Sequence, residues 1–505
     1  MARIGSPHFL AIDLGSGSAR AAVFDLKGRC KGFASAPLAL VTPKDAPLGK
    51  EFRPARLWSQ VASLVAASLH KAGLAGDDVA AVAATSQREG AAFLDASGKT
   101  LYIGPNSDTR AFFEGQAIDE ERRDEMYRIT GHTPSLLFAP AKVRWFQQQR
   151  PALAKQITTV LSLDAWIAFQ LSGVRAMEVS SAAELGLIDI AKRALAQNLL
   201  DSLGFPPIVP PLVRSGAPIG EVTRKAATAT GLKRGTPVIA AGPDTQCGLL
   251  GMGVIAPGRI GVVAGTTAPV QMVTDRPFAD EKMRTWTGLH LLPSSWVLES
   301  NAGDAGTSYS WLNELLFGGV DDKRYARADA LAKRAPAGAG GVAAFLGPQL
   351  ADMGNAGPKM GGLLFPIPLS IAGADRGRLL RAFQEGLAFA IRANVEQVTA
   401  LTGRTYAPVH MGGGITRSEQ SCRILSDVLN QDISIAKESS VSALGAAICA
   451  AVGAGVFHDM QAASAAMASK ARLIKPDSLQ ALEYQGHYDR WRDIAKALDG
   501  FSGYL

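Results

Sequence analysis

Apolar residues along this chain form two kinds of run, and the two kinds alternate. Residues 9–12, 79–85 and 238–241 are short apolar runs bounded by polar or glycine-rich segments, which is typical of buried strands. Residues 57–72 and 379–401 are longer and place their apolar side chains at helical intervals. Because strand-like and helix-like runs alternate, the pattern predicts an α/β fold.

Further segments extend the same alternation. The pattern predicts helices at 141–149 and 152–156, a strand that becomes a helix at 158–169, a loop entering a strand at 341–345, and a strand at 409–411. Residues 441–457 form an uncharged run rich in Ala and Gly, for which a buried helix is predicted rather than a membrane span. From about residue 470 the chain is predicted to be largely helical.

A glycine-rich turn occurs twice, about half the chain apart. The first is Asp13-Leu14-Gly15-Ser16-Gly17-Ser18, and the second is Ala264-Gly265-Thr266-Thr267-Ala268. Each lies between two apolar-rich stretches, so each is predicted to be a strand–turn–strand hairpin. Such a turn can direct backbone N–H groups and hydroxyls at one point, where they suit a phosphate. One turn in each half predicts two lobes that hold a nucleotide triphosphate between them.

Length and composition set the class of protein. A chain of 505 residues predicts two large domains, with a boundary near residues 248–258. The apolar fraction of 47% and the charged fraction of 19% are those of a soluble globular protein. The net charge of +7 is spread along the chain without a basic run interleaved with aromatic residues. No nucleic-acid partner and no membrane association are therefore predicted.

Cysteine usage and the start of the chain predict a cytoplasmic protein. The four cysteines match no zinc or redox spacing, which predicts reduced thiols; they are Cys30, Cys247, Cys422 and Cys449. The chain opens without a signal-peptide pattern.

Common nucleotide and protease motifs do not fit. Ser97-Gly98-Lys99-Thr100 resembles the end of a P-loop, but position 93 is Phe where that motif needs Gly, so a hairpin turn is predicted. The first glycine-rich turn lacks the third glycine of a dinucleotide fingerprint. The sequence has neither a His-Glu-x-x-His motif nor a nucleophile elbow.

Asp244 is a candidate for acid–base chemistry. It lies just past the predicted strand 238–241, where open α/β sheets place their ligands. An Asp at this position can take a proton from a substrate hydroxyl as that oxygen attacks a phosphoryl group. The alternative is an Asp that caps a turn or a helix.

Two more polar segments follow strand-like runs. In Thr85-Ser86-Gln87-Arg88-Glu89-Gly90, the neighbouring Arg and Glu can hydrogen-bond adjacent hydroxyls of a polyol or sugar; the alternative is a surface ion pair. Asn106-Ser107-Asp108-Thr109-Arg110 supplies another Asp and Arg, with a loop and a helix N-cap at Asp108 as the alternative.

Small residues mark a third kind of segment, in the second half. Gly412-Gly413-Gly414-Ile415-Thr416-Arg417-Ser418 runs from a predicted strand into a helix, and its glycines permit a flat adenine ring to approach the backbone. Ser442-Ala443-Leu444-Gly445-Ala446-Ala447 opens the apolar helix and lets it pack closely or border a ligand.

In their order and spacing these motifs resemble the FGGY carbohydrate kinases, of the actin/hexokinase/Hsp70 ATPase-fold superfamily, over about residues 8–470. Phe383-Gln384-Glu385-Gly386-Leu387-Ala388-Phe389 resembles the helix that precedes the adenosine site in that family. The resemblance implies two ribonuclease-H-like domains with a cleft between them. The implied segments are an N-terminal sugar-binding domain at 8–249, a C-terminal nucleotide-binding domain at 250–470, and a helical extension at 471–505.

The resemblance also implies a role for each motif. The reaction is ATP-dependent phosphorylation of a sugar or polyol hydroxyl with Mg²⁺, in which Asp244 is the general base and Asp13 orients the metal or its water. The implied sugar-binding residues are Gln87, Arg88, Glu89, Asp108 and Asp244. The implied nucleotide-binding residues are Gly15, Ser16, Gly17, Ser18, Gly265, Thr266, Thr267, Gly413, Gly414 and Ser418.

Subgroups of the family leave the substrate open. Gln87-Arg88-Glu89 resembles glycerol kinase, but Leu137 stands where that subgroup has a Tyr on glycerol. Xylulokinases have Met-His in place of Arg88-Glu89, and Arg-Glu-Gly also resembles autoinducer kinases, whose substrate is a linear five-carbon dihydroxy-dione. We expect a kinase for a primary hydroxyl of a small linear sugar, a pentulose or an autoinducer-type compound. The alternatives are a glycerol kinase and a non-catalytic nucleotide switch, and a homodimer stays an open option.

Overall fold

The computed structural model describes residues 7–319, 323–355, 357, 359–369, 373–404 and 406–501. Two mixed β-sheets with helices against their faces form its two halves. The strands of the two large sheets are β1 His8–Leu14, β2 Ser18–Phe24, β3 Cys30–Pro37, β4 Val79–Ser86, β12 Pro218–Glu221, β13 Pro237–Pro243, β14 Ile260–Val263, β15 Thr267–Thr274, β16 Trp286–Leu289, β17 Trp296–Asp304, β20 Val409–Gly412, β21 Ile433–Ala436 and β22 Ala471–Ile474.

Smaller sheets are built from short strands. They are β5 Ala91–Leu94, β6 Thr100–Gly104, β7 Thr159–Ser162, β8 Met177–Glu178, β9 Ile188–Asp189, β10 Ala194–Leu195, β11 Leu212–Val213, β18 Ala343–Phe345 and β19 Gly362–Leu364.

The α-helices connect these strands. They are α1 Pro54–Ala72, α2 Phe112–Thr130, α3 Ala139–Gln149, α4 Pro151–Ala154, α5 Leu163–Ser172, α6 Val179–Ala183, α7 Gln197–Ser202, α8 Arg224–Thr230, α9 Asp244–Gly251, α10 Gly306–Phe317, α11 Arg324–Ala332, α12 Arg376–Thr402, α13 Glu419–Leu429, α14 Val441–Gly453, α15 Met460–Met467 and α16 Ser478–Asp499.

The two large sheets repeat one topology. The first has the order β12-β13-β4-β1-β2-β3, with β1 antiparallel to β2 and parallel to β4. The second has the order β16-β17-β15-β14-β20-β21-β22, with β14 antiparallel to β15 and parallel to β20. In each half a hairpin opens the sheet and later strands return parallel to its first strand. The predicted α/β class and both predicted glycine-turn hairpins are confirmed.

Helices cover both faces of the first sheet. On one face α1 packs through a stripe that includes Leu57, Val61 and Val65, and Gly32 gives it room, because a Cβ there would lie 2.2 Å from the Ser68 carbonyl oxygen. On the other face lies α14, the predicted buried helix, whose small side chains let it pack against strands and against α9. A Cβ on Gly445 would lie 1.9 Å from the Cys247 carbonyl oxygen, so this contact needs glycine.

Packing does not follow the order of the chain strictly. Helix α14 belongs to the second half by sequence, yet it shares a hydrophobic core with Phe9, Ala83 and Ile239 of the first sheet. The predicted domain boundary between residues 249 and 250 divides the chain by sequence, but this helix packs across it. The boundary therefore stays a proposal. In the described part of the chain, no helix is long and apolar enough to cross a membrane.

The C-terminal segment differs from its prediction. Residues 471–474 form the edge strand β22, paired antiparallel with β21, where helix was predicted. Helix α16 follows, with Tyr484, Tyr488 and Trp491 buried in the second core, and residues 502–505 of the predicted extension lie outside the described residues. The sequence pattern does not indicate strand β22, because Ala471–Ile474 is mostly exposed and has no apolar alternation.

The edge of the second sheet rests directly on the first half. The Trp286 indole donates to the Thr133 carbonyl oxygen at 2.6 Å, and the Thr287 amide donates to the Gly131 carbonyl oxygen at 3.0 Å. Gly131 has φ +76°, and a Cβ on it would lie 2.1 Å from the Thr287 carbonyl oxygen, so only glycine fits there. The two halves therefore meet along β16.

Candidate active site

Three of the predicted motifs end at one edge of the first sheet. Strands β13, β4 and β1 are parallel neighbours, and their ends are in register: Leu14 lies opposite Ser86, and Ser86 lies opposite Pro243. The carboxyl ends of parallel strands thus bring Asp13, the loop after Ser86 and Asp244 together at the cleft. The sequence pattern predicts where each of them lies along the chain, and the strand register brings them close together.

Asp13 and Asp244 form a pair of carboxylates. Asp13 is buried; its Oδ2 accepts from Arg20 Nη1 at 2.8 Å, while its Oδ1 is buried without a hydrogen-bond partner. Asp244 is the first residue of α9 and keeps partial exposure. Burial, and then the charge of Asp13, raise the pKa of Asp244 to about 7, while Arg88 and Arg20 oppose the rise. A carboxylate with this pKa can accept a proton near neutral pH.

Arg88 joins the two halves beside β16. Its Nη1 and Nη2 donate to Glu299 on β17 at 2.6 and 2.8 Å, and its guanidinium carbon lies 5.4 Å from the centre of the Trp286 ring. Nη1 is also 3.5 Å from Glu184 Oε2. Glu299, Trp286 and Glu184 have no motif of their own in the sequence, and only the fold brings them to Arg88.

Glu89 adopts a backbone conformation that is uncommon for a residue with a side chain. Its φ is +57°, and Lys142 Nζ donates to its carbonyl oxygen at 2.6 Å, which holds the loop. Glu89 Oε1 is buried without a hydrogen-bond partner. Burial raises the pKa of Glu89 to about 8, assisted by Glu184 and Glu299 and opposed by Arg88. Burial also lowers the pKa of the Lys142 ammonium to about 8.

The side-chain amide of Gln87 forms hydrogen bonds within the protein. Its Nε2 donates to the Gly15 carbonyl oxygen at 3.1 Å, and its Oε1 accepts from the Asn106 amide at 3.1 Å. Gln87 therefore ties the first glycine-rich turn to the neighbouring loop, which places its amide behind the cleft surface.

Asp108 is likewise part of a buried network. It is fully buried; Oδ1 accepts from the Lys50 amide at 3.0 Å, while Oδ2 accepts from the Tyr102 hydroxyl and from Arg110 Nε, the latter at 2.8 Å. With both oxygens engaged, Asp108 anchors its loop and does not present a free oxygen to a sugar. These contacts favour a structural role for Asp108, and its predicted contact with a substrate hydroxyl stays a prediction.

Several buried polar atoms around Asp13 and Arg88 have no hydrogen-bond partner. The His132 ring has Nδ1 2.6 Å from the Thr130 carbonyl oxygen and Nε2 3.5 Å from Glu184 Oε2. These atoms include Asp13 Oδ1, Glu89 Oε1, His132 Nε2, Glu184 Oε2 and Gln271 Oε1. A ligand that brings O–H donors can satisfy such atoms, and an anion cannot.

The second sheet has its own edge at the cleft. Val263 at the end of β14 lies opposite Gly412 at the end of the parallel strand β20, so the second glycine-rich turn and the triple glycine are neighbours. Gly265 and Thr266 are exposed. Gly413 has φ +98°, and a Cβ there would lie 2.4 Å from the Ala264 carbonyl oxygen, so glycine is required where the two loops touch.

The first glycine-rich turn is a tight hairpin. The Gly15 amide donates to the Ser18 carbonyl oxygen at 3.0 Å, and Gly17 at its tip is exposed with open space where a Cβ would be. Ser16 is half-buried, and its Oγ lies 3.5 Å from Asn106 Nδ2. Backbone and hydroxyl groups at this tip remain accessible to a phosphate.

Ser418 has partners on two sides. Its Oγ caps α13 by accepting from the Ser421 amide at 3.0 Å, and it donates to Asp329 at 2.8 Å. Gln384 Nε2 donates to the same Asp329 oxygen at 2.9 Å. Asp329 lies on α11 and no pattern in the sequence pointed to it, because the contact joins three helices that are far apart in the chain.

Asp13 offers one oxygen that suits a magnesium ion. Its unpartnered Oδ1 is a hard donor of the kind Mg²⁺ prefers, and Mg²⁺ usually keeps several waters and uses few carboxylates together with phosphates. The residues present therefore fit the ion beside a bound nucleotide. Within the described residues, no cluster of three or more His, Cys, Asp or Glu side chains could hold a metal by itself.

Comparison with known proteins identifies the family. The model of the N-terminal domain of the FGGY family of carbohydrate kinases matches residues 8–251, and the model of its C-terminal domain matches residues 261–454. The fold and the cleft are thus those of a two-domain, actin-like kinase. The chain belongs to the FGGY family of carbohydrate kinases.

Relatives extend over nearly the whole chain. An autoinducer-2 kinase of Salmonella paratyphi B is 30% identical, with 97% of this chain and 94% of that protein covered. The crystal structure of xylulose kinase from Rhodospirillum rubrum has a TM-score of 0.83 at 26% identity, covering 98% of this chain and 100% of that one. Plasmodium falciparum glycerol kinase with ADP shares the fold, with a TM-score of 0.81 at 17% identity and coverage of 97% and 98%.

These findings establish the reaction type. The protein is a phosphotransferase that acts on a sugar hydroxyl, and FGGY kinases use ATP as the phosphate donor. The expectation of an enzyme is confirmed, and the alternative of a non-catalytic nucleotide switch is not supported.

Proposed function

We propose that this kinase phosphorylates a primary hydroxyl of a small, neutral, linear-chain sugar, either a pentulose or an autoinducer-type five-carbon compound. The observation that carries the proposal is the group of buried polar atoms without hydrogen-bond partners beside Arg88, on Glu89, Glu184 and Gln271, apart from the Asp13 oxygen proposed for the metal. A buried acceptor left unpaired costs about 1–3 kcal/mol, so a ligand gains most where it supplies one O–H group to each. A polyhydroxylated chain has that chemistry.

The charges around Arg88 favour a neutral substrate over a sugar acid. Arg88 donates to Glu299 through one N–H of each terminal nitrogen, so its charge is balanced within the protein. Glu184 and Glu89 add further carboxyl groups within 4 Å of the same guanidinium. A substrate carboxylate placed beside Arg88 would face these carboxyl groups at close range, which is costly in a buried site.

The relatives support a short linear chain. An autoinducer-2 kinase and a xylulose kinase are among the proteins that match nearly the full length of this chain. Glycerol kinase stays the second candidate, because Arg88 and Glu89 form the pair that also characterises that subgroup.

The nucleotide is assigned to the two glycine-rich turns and the triple glycine. Backbone and hydroxyl groups of the two turns contact the phosphates, and Asp13 holds Mg²⁺ or one of its waters through Oδ1. Adenine lies beside the triple glycine. The contacting residues in this proposal are Gly15, Ser16, Gly17, Ser18, Gly265, Thr266, Thr267, Gly413, Gly414 and Ser418.

Asp244 acts as the general base in the proposed mechanism. MgATP held by these turns would supply the γ-phosphoryl group, whose bond to the β–γ bridging oxygen breaks so that ADP leaves, and Mg²⁺ would neutralise phosphate charge. Arg88 and Glu89 orient the sugar so that its primary hydroxyl lies at Asp244. As the hydroxyl oxygen attacks, its proton passes to the Asp244 carboxylate, and Arg20 beside Asp13 limits the repulsion between the two acids. Closure of the two halves excludes water and so limits ATP hydrolysis.

A substrate panel coupled to ADP release tests the proposal. The panel contains xylulose, ribulose, an autoinducer-type dihydroxy-dione, glycerol and gluconate at equal concentrations. We expect the highest kcat/KM for a neutral five-carbon compound and negligible turnover of gluconate. Preference for gluconate would overturn the neutral-substrate argument, and preference for glycerol would establish the second candidate.

A further inference from the structure

Glu184 lies at a junction that no sequence motif marks. It follows α6 directly and is 2% exposed. Its Oε1 accepts from Gln246 Nε2 at 2.6 Å, and its Oε2 is 3.5 Å from both Arg88 Nη1 and His132 Nε2. One carboxylate thus faces the sugar-side arginine, the helix that begins with Asp244, and the loop after α2.

Local structure gives no reason for a glutamate at this position. The last carbonyl groups of a helix carry partial negative charge, so a carboxylate at that end gains nothing from the helix. The opposite end of α6 shows the favourable case, because Glu178 caps it by accepting from the amides of Ser180 and Ser181. A residue that is unfavourable locally is expected to be retained for its contacts elsewhere.

The neighbouring strand is shaped around the Glu184 carboxylate. A Cβ on Gly288 of β16 would lie 2.7 Å from Glu184 Oε1 and 3.5 Å from Gln246 Nε2. The missing side chain at Gly288 therefore makes room for the Glu184–Gln246 hydrogen bond. Burial raises the pKa of Glu184, but the positive charge of Arg88 opposes burial, and the pKa is lowered overall.

We infer that Glu184 is a positioning residue for phosphoryl transfer, which supports Arg88 and the first turn of α9 through one carboxylate. Gln246 is two residues past Asp244, and its Oε1 accepts from the Thr245 hydroxyl at 2.6 Å. Glu184 therefore fixes the helix turn that carries the base while it orients the arginine that faces the sugar. The inference rests on the proposed roles of Arg88 and Asp244.

Paired substitutions at the two ends of α6 test the inference. Glu184→Gln keeps the size and an oxygen for Gln246 but removes the charge that faces Arg88. Glu178→Gln is the matched control, because Glu178 is equally buried, flanks the same helix and bonds Ser180, Ser181 and Ser215 instead. Steady-state kinetics with sugar and ATP varied separately, and the thermal midpoint, are measured for both variants.

We expect Glu184→Gln to raise the sugar KM about tenfold and to lower kcat, with the ATP KM unchanged, since one charged contact is lost on the sugar side. Glu178→Gln is expected to lower the thermal midpoint and leave both KM values unchanged. Glu184→Asp, which keeps the charge, should recover part of the sugar KM. Equal kinetic effects of the two Gln variants, or unchanged kinetics in Glu184→Gln, would overturn the inference.

The same experiment separates this inference from the proposed function. If the wild-type enzyme prefers an acidic sugar or glycerol, the neutral five-carbon proposal fails. The contrast between Glu184→Gln and Glu178→Gln, measured with the preferred acceptor, still decides whether Glu184 positions the transfer machinery.

Discussion

The two edges of the cleft offer a ligand different kinds of chemistry. The first-sheet edge presents charged and largely buried side chains, with Arg88, Glu89 and Asp244 as its centre. The second-sheet edge presents exposed backbone at Gly265 and Gly414. Side chains at fixed positions discriminate between ligands, whereas backbone amides in a glycine turn bind any phosphate of suitable geometry. Specificity is therefore expected to lie at the first edge and nucleotide affinity at the second.

The largest effect is expected at Asp244. Asp244→Asn keeps the shape of the side chain and removes the proton acceptor, so kcat should fall by about 10² or more. ATP should still bind, because the second edge is untouched. Single-turnover kinetics and nucleotide binding by calorimetry measure the two effects separately. Near wild-type turnover would mean that another group takes the proton, with Asp13 as the next candidate.

The pH dependence of kcat/KM should reflect the ionisation of the Asp244 carboxyl group. Because the pKa of Asp244 is raised to about 7, the fraction of free enzyme with an ionised base grows as pH rises through that value. We expect kcat/KM to rise about tenfold per pH unit below pH 7 and to level off above it. A profile that is flat between pH 5 and 8 would contradict the assignment.

The contribution of Asp244 to the free energy of unfolding should fall as pH rises, whereas its contribution to kcat/KM should grow. The folded protein holds the Asp244 proton more tightly than the unfolded chain, whose carboxyl group has its ordinary pKa of 3.8. Between about pH 4 and pH 7 the unfolded state therefore binds fewer protons, so this group's contribution to the free energy of unfolding falls as pH rises. Asp244→Asn should remove that slope, which denaturant melts at several pH values would show.

A smaller effect is expected from Glu89, and Asp108 supplies its control. Glu89→Ala should raise the sugar KM about tenfold while the ATP KM stays near wild type, because its side chain lies at the first edge. Asp108→Asn should act mainly on the thermal midpoint, since both oxygens of Asp108 bond within the protein. If the sugar KM rises equally in both variants, Asp108 takes part in substrate binding.

The sequence predicted the second edge more completely than the first. Glycine-rich turns can be recognised from the sequence alone, because a glycine at the end of a strand often marks a backbone conformation that other residues avoid. Gly413, with φ +98°, is an example. The strand positions also placed Asp13 and Asp244 correctly at one sheet edge. Glu184, Glu299 and His132 could not be found this way, because each reaches Arg88 or its neighbours through tertiary contacts.

Asp108 shows the converse problem. Its loop has the composition of a binding segment, yet Tyr102 and Arg110 turn the carboxylate inward. A sequence pattern locates a polar residue at a strand end, but the direction of the side chain depends on partners from other elements. The same limit explains β22, whose pairing with β21 rather than its own composition makes Ala471–Ile474 a strand.

The smallest predicted effect tests the second edge itself. A Cβ on Gly414 meets nothing within 4 Å, so Gly414→Ala should leave the thermal midpoint unchanged. If adenine lies against this backbone, the added methyl group should raise the ATP KM several-fold, about 1 kcal/mol for imperfect packing against the ring. Gly486→Ala is the control, because Gly486 is exposed on α16 and equally open, and alanine there should only stabilise the helix. Unchanged ATP kinetics in Gly414→Ala would place adenine elsewhere, whereas a raised sugar KM would show that the two edges are not separate in function.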